Sequence, residues 1–520
     1  MTIKTPKTPL GAGALDAGAP ATLAIAARFP TLAAALADTD GRAALERQLP
    51  DHLRAQRWFG GQTRPLTAVR CERWVPFPAT GACCCLVAAA DADGLTTRHL
   101  LCLRAGGAVA GDRRPVAPAL EDGAVRADLL RLALGGARLA GHDAELVGEP
   151  TGALPPGDYG AGRLVGVEQS NTSIVYGDAC IMKLYRRVEA GRNPEVELGR
   201  YLTAEAHFAA IPAVVASARL RGPDGFDADV LLAQAFIPNE GDGWAWAVAA
   251  AGRALAAAPP GADLRGWLAG EAATLAGAAT LGAITGQLHA ALAAATGPDL
   301  APAPATPDDL AAWAGEVRRE AEATALALAR AGHDDPQDAA WGRPALAAAL
   351  ARDAAYRAPD VAEPGLTMRV HGDYHLGQVL RTADGFVILD FEGEPARSLA
   401  ERRARRHPLV DVAGMLRSWS YAAAAAARQI GAPASMPSPA RDQAAATWAG
   451  AVRDAFLAAY WAAADAAPRP FLPRDRASRA RLLALFERRK ALYELRYELN
   501  NRPDWVAIPA AAIRVVSGER

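Results

Sequence analysis

The chain has 520 residues, 51% hydrophobic and 22% charged, which predicts roughly three globular domains or lobes and excludes a disordered or fibrous protein. With 56 Lys and Arg against 57 Asp and Glu, it has no broad field for gripping a polyanion, so nucleic acid is excluded as the main partner. No apolar run reaches the roughly 18 residues of a membrane span, and six Cys, three of them consecutive (Cys83, Cys84, Cys85), match neither a disulfide framework nor zinc-site spacing and point to a reducing cytoplasm.

Residues 1–20, broken by Pro6, Pro9, Asp16 and Pro20, read as a disordered tail and not as a signal peptide. A helical pattern over 21–56 ends in QRWFGGQTRP (56–65), where Gly60 and Gly61 break it. Apolar stretches at 67–77, 82–90 and 98–103, separated by Pro78, Gly81 and Asp93-Gly94, predict a small antiparallel sheet. The segment GALPPGDYGAG (152–162) reads as a linker. Strand-like runs follow at 163–168, 172–177 and 179–185, then a helical pattern over 194–209 and strands near 213–220 and 229–237. From about 244 onward the pattern is mostly helical, with a Pro-rich loop at 297–309.

The segment VHGDYHLGQVLRTADGFVILDFEGEP (370–395) carries the most chemistry. Asp373 is followed five positions later by the amide Gln378, and an apolar run then delivers Asp390. Phosphoryl transfer needs a base beside the acceptor hydroxyl, together with carboxylate and amide oxygens that hold Mg²⁺ against nucleotide phosphates. The pattern parallels the protein-kinase loop H-R-D-x-x-x-x-N and its following D-F-G, with Gly, Gln and Glu as replacements. Upstream, Gln169, Ser170, Asn171, Thr172 and Ser173 occupy the place of a phosphate-cradling loop, small enough for close backbone approach. Lys183, in the apolar context IMKLY, is the candidate for the α- and β-phosphates. The acidic helix NPEVELGRYL supplies its ion-pair partner, with Glu197 preferred and Glu195 competing. Gln234 and Phe236, in an apolar strand entering a polar turn, are candidates for backbone contact with the adenine edge.

These motifs resemble the bacterial maltokinases, within the protein-kinase-like and aminoglycoside-phosphotransferase-like superfamily. The matching segments are QRWFGG (56–61), EQSNTSIVYGD (168–178), MKLYRR (182–187), NPEVEL (193–198), DGW (242–244), HGDYHLGQVL (371–380), ILDFEGEP (388–395), PLVDVAGMLRS (408–418) and YELRYELNNRPDWVAIP (493–509). The resemblance implies an α+β, bilobal eukaryotic protein kinase-like fold with an N-terminal cap domain. Its expected parts are a cap at 21–150, a nucleotide-binding lobe at 151–240 and a mainly helical lobe at 241–520. It also implies ATP- and Mg²⁺-dependent phosphorylation of maltose at the anomeric hydroxyl, with trehalose synthase as an expected partner. Asp373 would be the base, Gln378 and Asp390 the Mg²⁺ ligands and Lys183 the phosphate lysine.

Lys490, Glu494, Tyr497 and Asn501 recur at i, i+4, i+7 and i+11, one face of a helix. Carboxylates and amides beside aromatic rings suit sugar hydroxyls, and the family places its sugar site in this lobe. The substrate candidates are therefore His371, Glu392, Glu394, Lys490, Tyr493, Glu494, Tyr497, Glu498 and Asn501, while Asp411 and Arg417 read as braces. Gln62, His407 and Val410 depart from the maltokinase pattern, so a glucosamine or aminoglycoside acceptor is the alternative. A non-catalytic scaffold would be expected to lack Lys183, Asp373 or Asp390, and all three are present.

Overall fold

The computed structural model describes residues 23–56, 58–59, 65–107, 109–152, 159–165, 171–258, 264–331, 343–429 and 438–516. The expected tail at 1–20, most of the linker at 152–162, and the loop residues Gln169 and Ser170 lie outside them. The chain divides into two compact units, the first ending at Pro238 and the second beginning at Asn239.

The first unit is built on two antiparallel sheets. One runs in the order Leu23–Ala26, Arg113–Pro118, Thr96–Ala105, Ala82–Asp91 and Leu66–Phe77, with Arg187–Val188 added beside Thr96–Ala105. The expected helical stretch at 21–56 thus opens on an edge strand. It continues as three short helices, Leu32–Ala37, Thr39–Glu46 and Leu49–Arg54. The reason is local: Thr31 and Asp38 each cap a new helix through their side chains, so the apolar periodicity is interrupted by helix starts.

The cysteine triplet is packing material. Along Ala82–Asp91, Cys83 and Cys85 enter a core with Leu32, Leu36 and Leu53. Cys84 and Leu86 enter another with Leu129, Ile174, Met182 and Leu231. Alternation along a strand buried on both faces explains why consecutive small hydrophobes are wanted there.

The second sheet has the order Arg138–Ala140, Glu145–Pro150, Val214–Arg221, Asp227–Ala235, Cys180–Tyr185, Asn171–Tyr176 and Arg163–Leu164. Its first two strands fall in the stretch that the sequence assigns to the cap. Pairing of Val147 with Arg219 across some seventy residues joins them to this sheet, a contact that no local pattern reports. Helix Gly123–Gly135 lies directly on that edge: a Cβ on Gly148 would come 2.0 Å from the Leu132 carbonyl oxygen.

The second unit is mainly helical. Its helices include Gly243–Ala256, Ala272–Ala293, Pro307–Arg330, Arg343–Ala354, Leu409–Gln429, Ser438–Asp465, Arg476–Asn501 and Ala507–Val516. A hairpin, Val379–Thr382 with Gly385–Ile388, carries the acidic segment. Helices Ala272–Ala293 and Ser438–Asp465 meet at two glycines one turn apart, where a Cβ on Gly282 would lie 2.1 Å from the Phe456 carbonyl oxygen and one on Gly286 2.6 Å from Ala463 Cβ. Ion pairs Arg488–Asp353, Arg489–Glu316 and Arg496–Glu320 fix helix Arg476–Asn501 against Arg343–Ala354 and Pro307–Arg330. Among the described residues no helix is long and apolar enough to cross a membrane.

Candidate active site

In the first unit Lys183 sits on strand Cys180–Tyr185, paired with Ser173 on one side and Leu232 on the other. Its Nζ lies 2.6 Å from Glu195 Oε1, and the Glu195 side chain is only 1% exposed. Tyr185 OH donates to Glu195 Oε2 at 3.0 Å. A carboxylate this deep is stable as an anion only when paired and hydrogen-bonded.

The preference for Glu197 over Glu195 therefore fails for this contact. Two residues on a helix differ by about 200° in direction, and the cap decides which acid faces the strand. Asn193 accepts from the Glu195 N–H and Pro194 starts helix Pro194–Ala204. Of the loop candidates inside the described residues, Asn171 is half-buried and Ser173 is buried in the strand. The Thr172 hydroxyl accepts from Arg186 Nε at 2.7 Å. At the expected adenine edge Gln234 is buried in the sheet, and the Phe236 N–H donates to Ala179 O at 2.9 Å. That N–H is thus already used within the unit.

In the second unit the HGD segment is held from below by one carboxylate. Asp411 accepts from the backbone N–H groups of His371 at 2.8 Å and Gly372 at 2.9 Å. It also meets His289 Nε2 at 3.3 Å, and His289 in turn meets Tyr460 OH at 2.9 Å. Burial pushes the Asp411 pKa up, but His289, His371 and the Gly372 N–H outweigh it and hold the carboxyl below its ordinary range.

The sequence makes His371 a substrate candidate. It is 1% exposed, its Nε2 donates to Leu389 O at 2.8 Å, and its Nδ1 accepts from the Asp373 N–H at 3.4 Å. Both ring nitrogens are engaged by backbone, so the ring ties the loop to the hairpin and is turned away from a sugar-contacting role.

Asp373 is half-buried at the loop tip. Gln378 Nε2 donates to Asp390 Oδ2 at 3.1 Å, while Gln378 Oε1 is buried with no hydrogen-bond partner among the described residues. Asp390 adopts φ +64°, a left-handed conformation that costs a non-glycine residue about 1–2 kcal/mol. A strained carboxylate beside an orphaned amide oxygen forms a hard, all-oxygen donor set that fits a divalent cation of the Mg²⁺ type.

Helix Arg476–Asn501 brings its face to the same unit's acidic segment. Lys490 Nζ lies 3.7 Å from Glu394 Oε1, and Glu394 also pairs with Arg397. Burial disfavours the Lys490 charge, but Asp373, Glu394 and Glu494 together hold its pKa above the ordinary lysine value. Burial likewise raises Glu394, and Lys490 and Arg397 bring it below the ordinary range. Arg417 Nε donates to Glu494 Oε2 at 2.8 Å, with both side chains nearly buried. Tyr493 lies under Lys490, 5.2 Å from Nζ to the ring centroid, and Tyr497 is exposed.

The rest of the expected face separates. Glu498 is buried, bonded by Tyr421 OH at 3.1 Å and Arg502 Nη2 at 2.6 Å. Asn501 is exposed and donates to its own helix at Tyr497 O. With Glu494 and Glu498 turned inward and Tyr497 and Asn501 exposed, the helix does not present all six candidates to one ligand. Glu392 is half-buried, and its carbonyl accepts from Arg402. Sequence reasoning missed His289, Tyr460 and Arg397, whose roles arise from contacts remote in sequence.

The chain is 30% identical over 382 residues to a glucosamine kinase from Streptacidiphilus jiangxiensis, covering 71% of this chain and 76% of that protein. A glucosamine kinase from Mycolicibacterium smegmatis is 27% identical over 376 residues, covering 69% and 80% respectively. Among solved structures, a glucosamine kinase in complex with glucosamine, ADP and inorganic phosphate superposes with a TM-score of 0.62 at 24% identity, covering 88% of this chain and 96% of that one. No protein-family model matches the chain.

Proposed function

Because the chain belongs to the glucosamine kinase family of sugar kinases, we propose that its acceptor is glucosamine. The observation that carries this reading is the pair of curated relatives with that name, each aligned over more than two thirds of the chain. The catalytic roles are our assignment from geometry and motif. The Asp373 carboxylate takes the proton of the acceptor hydroxyl as that oxygen attacks the γ-phosphorus of ATP and ADP departs. Asp411 holds the loop that presents Asp373. Lys183, oriented by Glu195, binds nucleotide phosphates. Gln378 and Asp390 would hold the divalent metal, with Mg²⁺ as our choice, and it would draw charge off the phosphates when bound. Lys490 offsets the charge of Asp373 and Glu394 beside the acceptor, and Tyr493 and Glu494 offer ring and carboxylate surfaces to the sugar. Six buried free cysteines suit a cytoplasmic, reducing setting.

Maltose is the second reading. The motifs DFEGEP, DVAGMLRS and YEL…NRPDW favour it, and so does Lys490, a cation that suits a neutral sugar better than an ammonium. With maltose, trehalose synthase becomes the expected partner; an unshifted elution of the mixed proteins at micromolar concentration would count against a stable complex. The deciding experiment is competition of glucosamine and maltose in one reaction with ATP and Mg²⁺, followed by mass analysis of the sugar phosphates. Glucosamine phosphate as the dominant product supports our reading, and maltose phosphate as the dominant product replaces it.

A further inference from the structure

Beneath the Lys183–Glu195 pair lies a second buried carboxylate that the proposed chemistry does not use. Asp229, on strand Asp227–Ala235, is 4% exposed. Its Oδ2 accepts from the Asn193 N–H at 2.7 Å and lies 3.3 Å from Arg192 Nε. Asn193 is the residue whose side chain caps helix Pro194–Ala204 by accepting from the Glu195 N–H at 2.8 Å. A continuous chain of contacts therefore runs from Asp229 through Asn193 to Glu195 and then, at 2.6 Å, to Lys183. Asp229 also lies three positions before Leu232, the residue paired with Lys183 across the sheet. One strand thus fixes both ends of the helix-to-lysine contact.

We propose that Asp229 is a positioning residue for phosphate binding: it anchors the first turn of the helix so that Glu195 meets Lys183. This rests on the reading that Lys183 contacts the nucleotide phosphates. Asp229 does not contact the lysine itself and acts through Asn193 and Glu195.

The groups facing Asp229 come from four elements. Arg192 precedes the helix, Arg219 lies on the adjacent strand at 3.9 Å, Glu149 is on the strand beyond that one, and Arg200 is on the helix itself. Burial raises the Asp229 pKa to about 6 against the pull of Arg192, the Asn193 N–H and Arg219. Protonation therefore falls within an accessible range and removes the charge that grips the helix turn.

The test measures ATP affinity by direct titration of the full chain with Mg²⁺, which is independent of the acceptor and so separates this inference from the choice of sugar. Asp229→Asn should bind ATP about tenfold more weakly at pH 7.5, the loss of one charge-assisted hydrogen bond. The gap from wild type should close at pH 5, where wild-type Asp229 is itself neutral. Glu195→Gln and the double variant Glu195→Gln/Asp229→Asn should bind alike, because Asp229 has no other route to the phosphates. Equal binding by Asp229→Asn and wild type at pH 7.5, or a full additional loss in the double variant, overturns the proposal. Should Asp229→Asn fail to fold, Arg192→Gln serves: removing that cation should move the acid loss of ATP affinity to higher pH, and an unmoved loss overturns the proposal equally. If ATP binds wild type and Lys183→Ala equally well, the reading of Lys183 has failed and the proposal fails with it.

Discussion

Replacing Asp411 with alanine should both destabilise the second unit and slow phosphoryl transfer. The side chain is 1% exposed and accepts two backbone N–H groups, at 2.8 and 2.9 Å, from adjacent residues of the loop that bears Asp373. Hydrogen bonds to a charged acceptor contribute about 1.5–3 kcal/mol each. Relief from burying a carboxylate offsets part of that, leaving a net loss of about 3–5 kcal/mol, the range for removing one partner of a buried charged network. At about 2–4 °C per kcal/mol for a unit of this size, the melting transition should fall by roughly 6–20 °C. A base displaced by an ångström costs about a hundredfold in rate, so kcat should fall by that order at temperatures where the variant remains folded, with the ATP KM little changed. Circular dichroism melts and initial rates measure both. Melting within about 2 °C of wild type together with kcat within twofold would refute the bracing role; lost stability with unchanged kcat would show a brace that leaves the base in place.

His407 is fully buried, donates to Pro364 O at 2.9 Å, and is held by burial at a pKa of about 4. It stays neutral in the fold where the unfolded chain binds a proton, so stability should fall as pH drops from about 6.5 to 4, by about 3 kcal/mol from this group. His407→Leu should flatten that part of the urea-unfolding profile, and an unchanged slope contradicts the assignment. Gly282→Val should disrupt the contact of Ala272–Ala293 with Ser438–Asp465, since the added Cβ meets backbone at 2.1 Å. Loss of soluble expression or a melting drop of several degrees is expected, and a wild-type melt refutes the close packing. Gln378→Leu removes the orphaned Oε1 and should raise the Mg²⁺ concentration for half-maximal activity about tenfold, whereas an unchanged metal requirement takes Gln378 out of the metal set.

The parts of the site legible in the sequence are those whose chemistry and spacing lie within one segment. Asp373, Gln378 and Asp390 share a loop and hairpin, and Lys183 announces itself as a charge in an apolar strand. The choice between Glu195 and Glu197 was not legible, because it turns on the rotation of a helix set by the Asn193 cap and the strand beneath. The face proposed for Lys490 to Asn501 was legible as a helix, but Glu498 turns inward to Tyr421, a partner on another helix that a periodicity does not contain. Strands Arg138–Ala140 and Glu145–Pro150 were missed because the short hairpin they form joins its sheet only through the pairing of Glu145–Pro150 with Val214–Arg221, some seventy residues on.

The central claim is that this family member phosphorylates glucosamine with Asp373 as base. Its most direct test is the kcat/KM ratio of glucosamine to maltose for wild type, measured by ADP release with ATP and Mg²⁺, alongside Asp373→Asn. The account predicts a ratio well above one and no glucosamine-dependent ADP release by Asp373→Asn. Turnover of maltose without turnover of glucosamine, or full activity of Asp373→Asn, would contradict it.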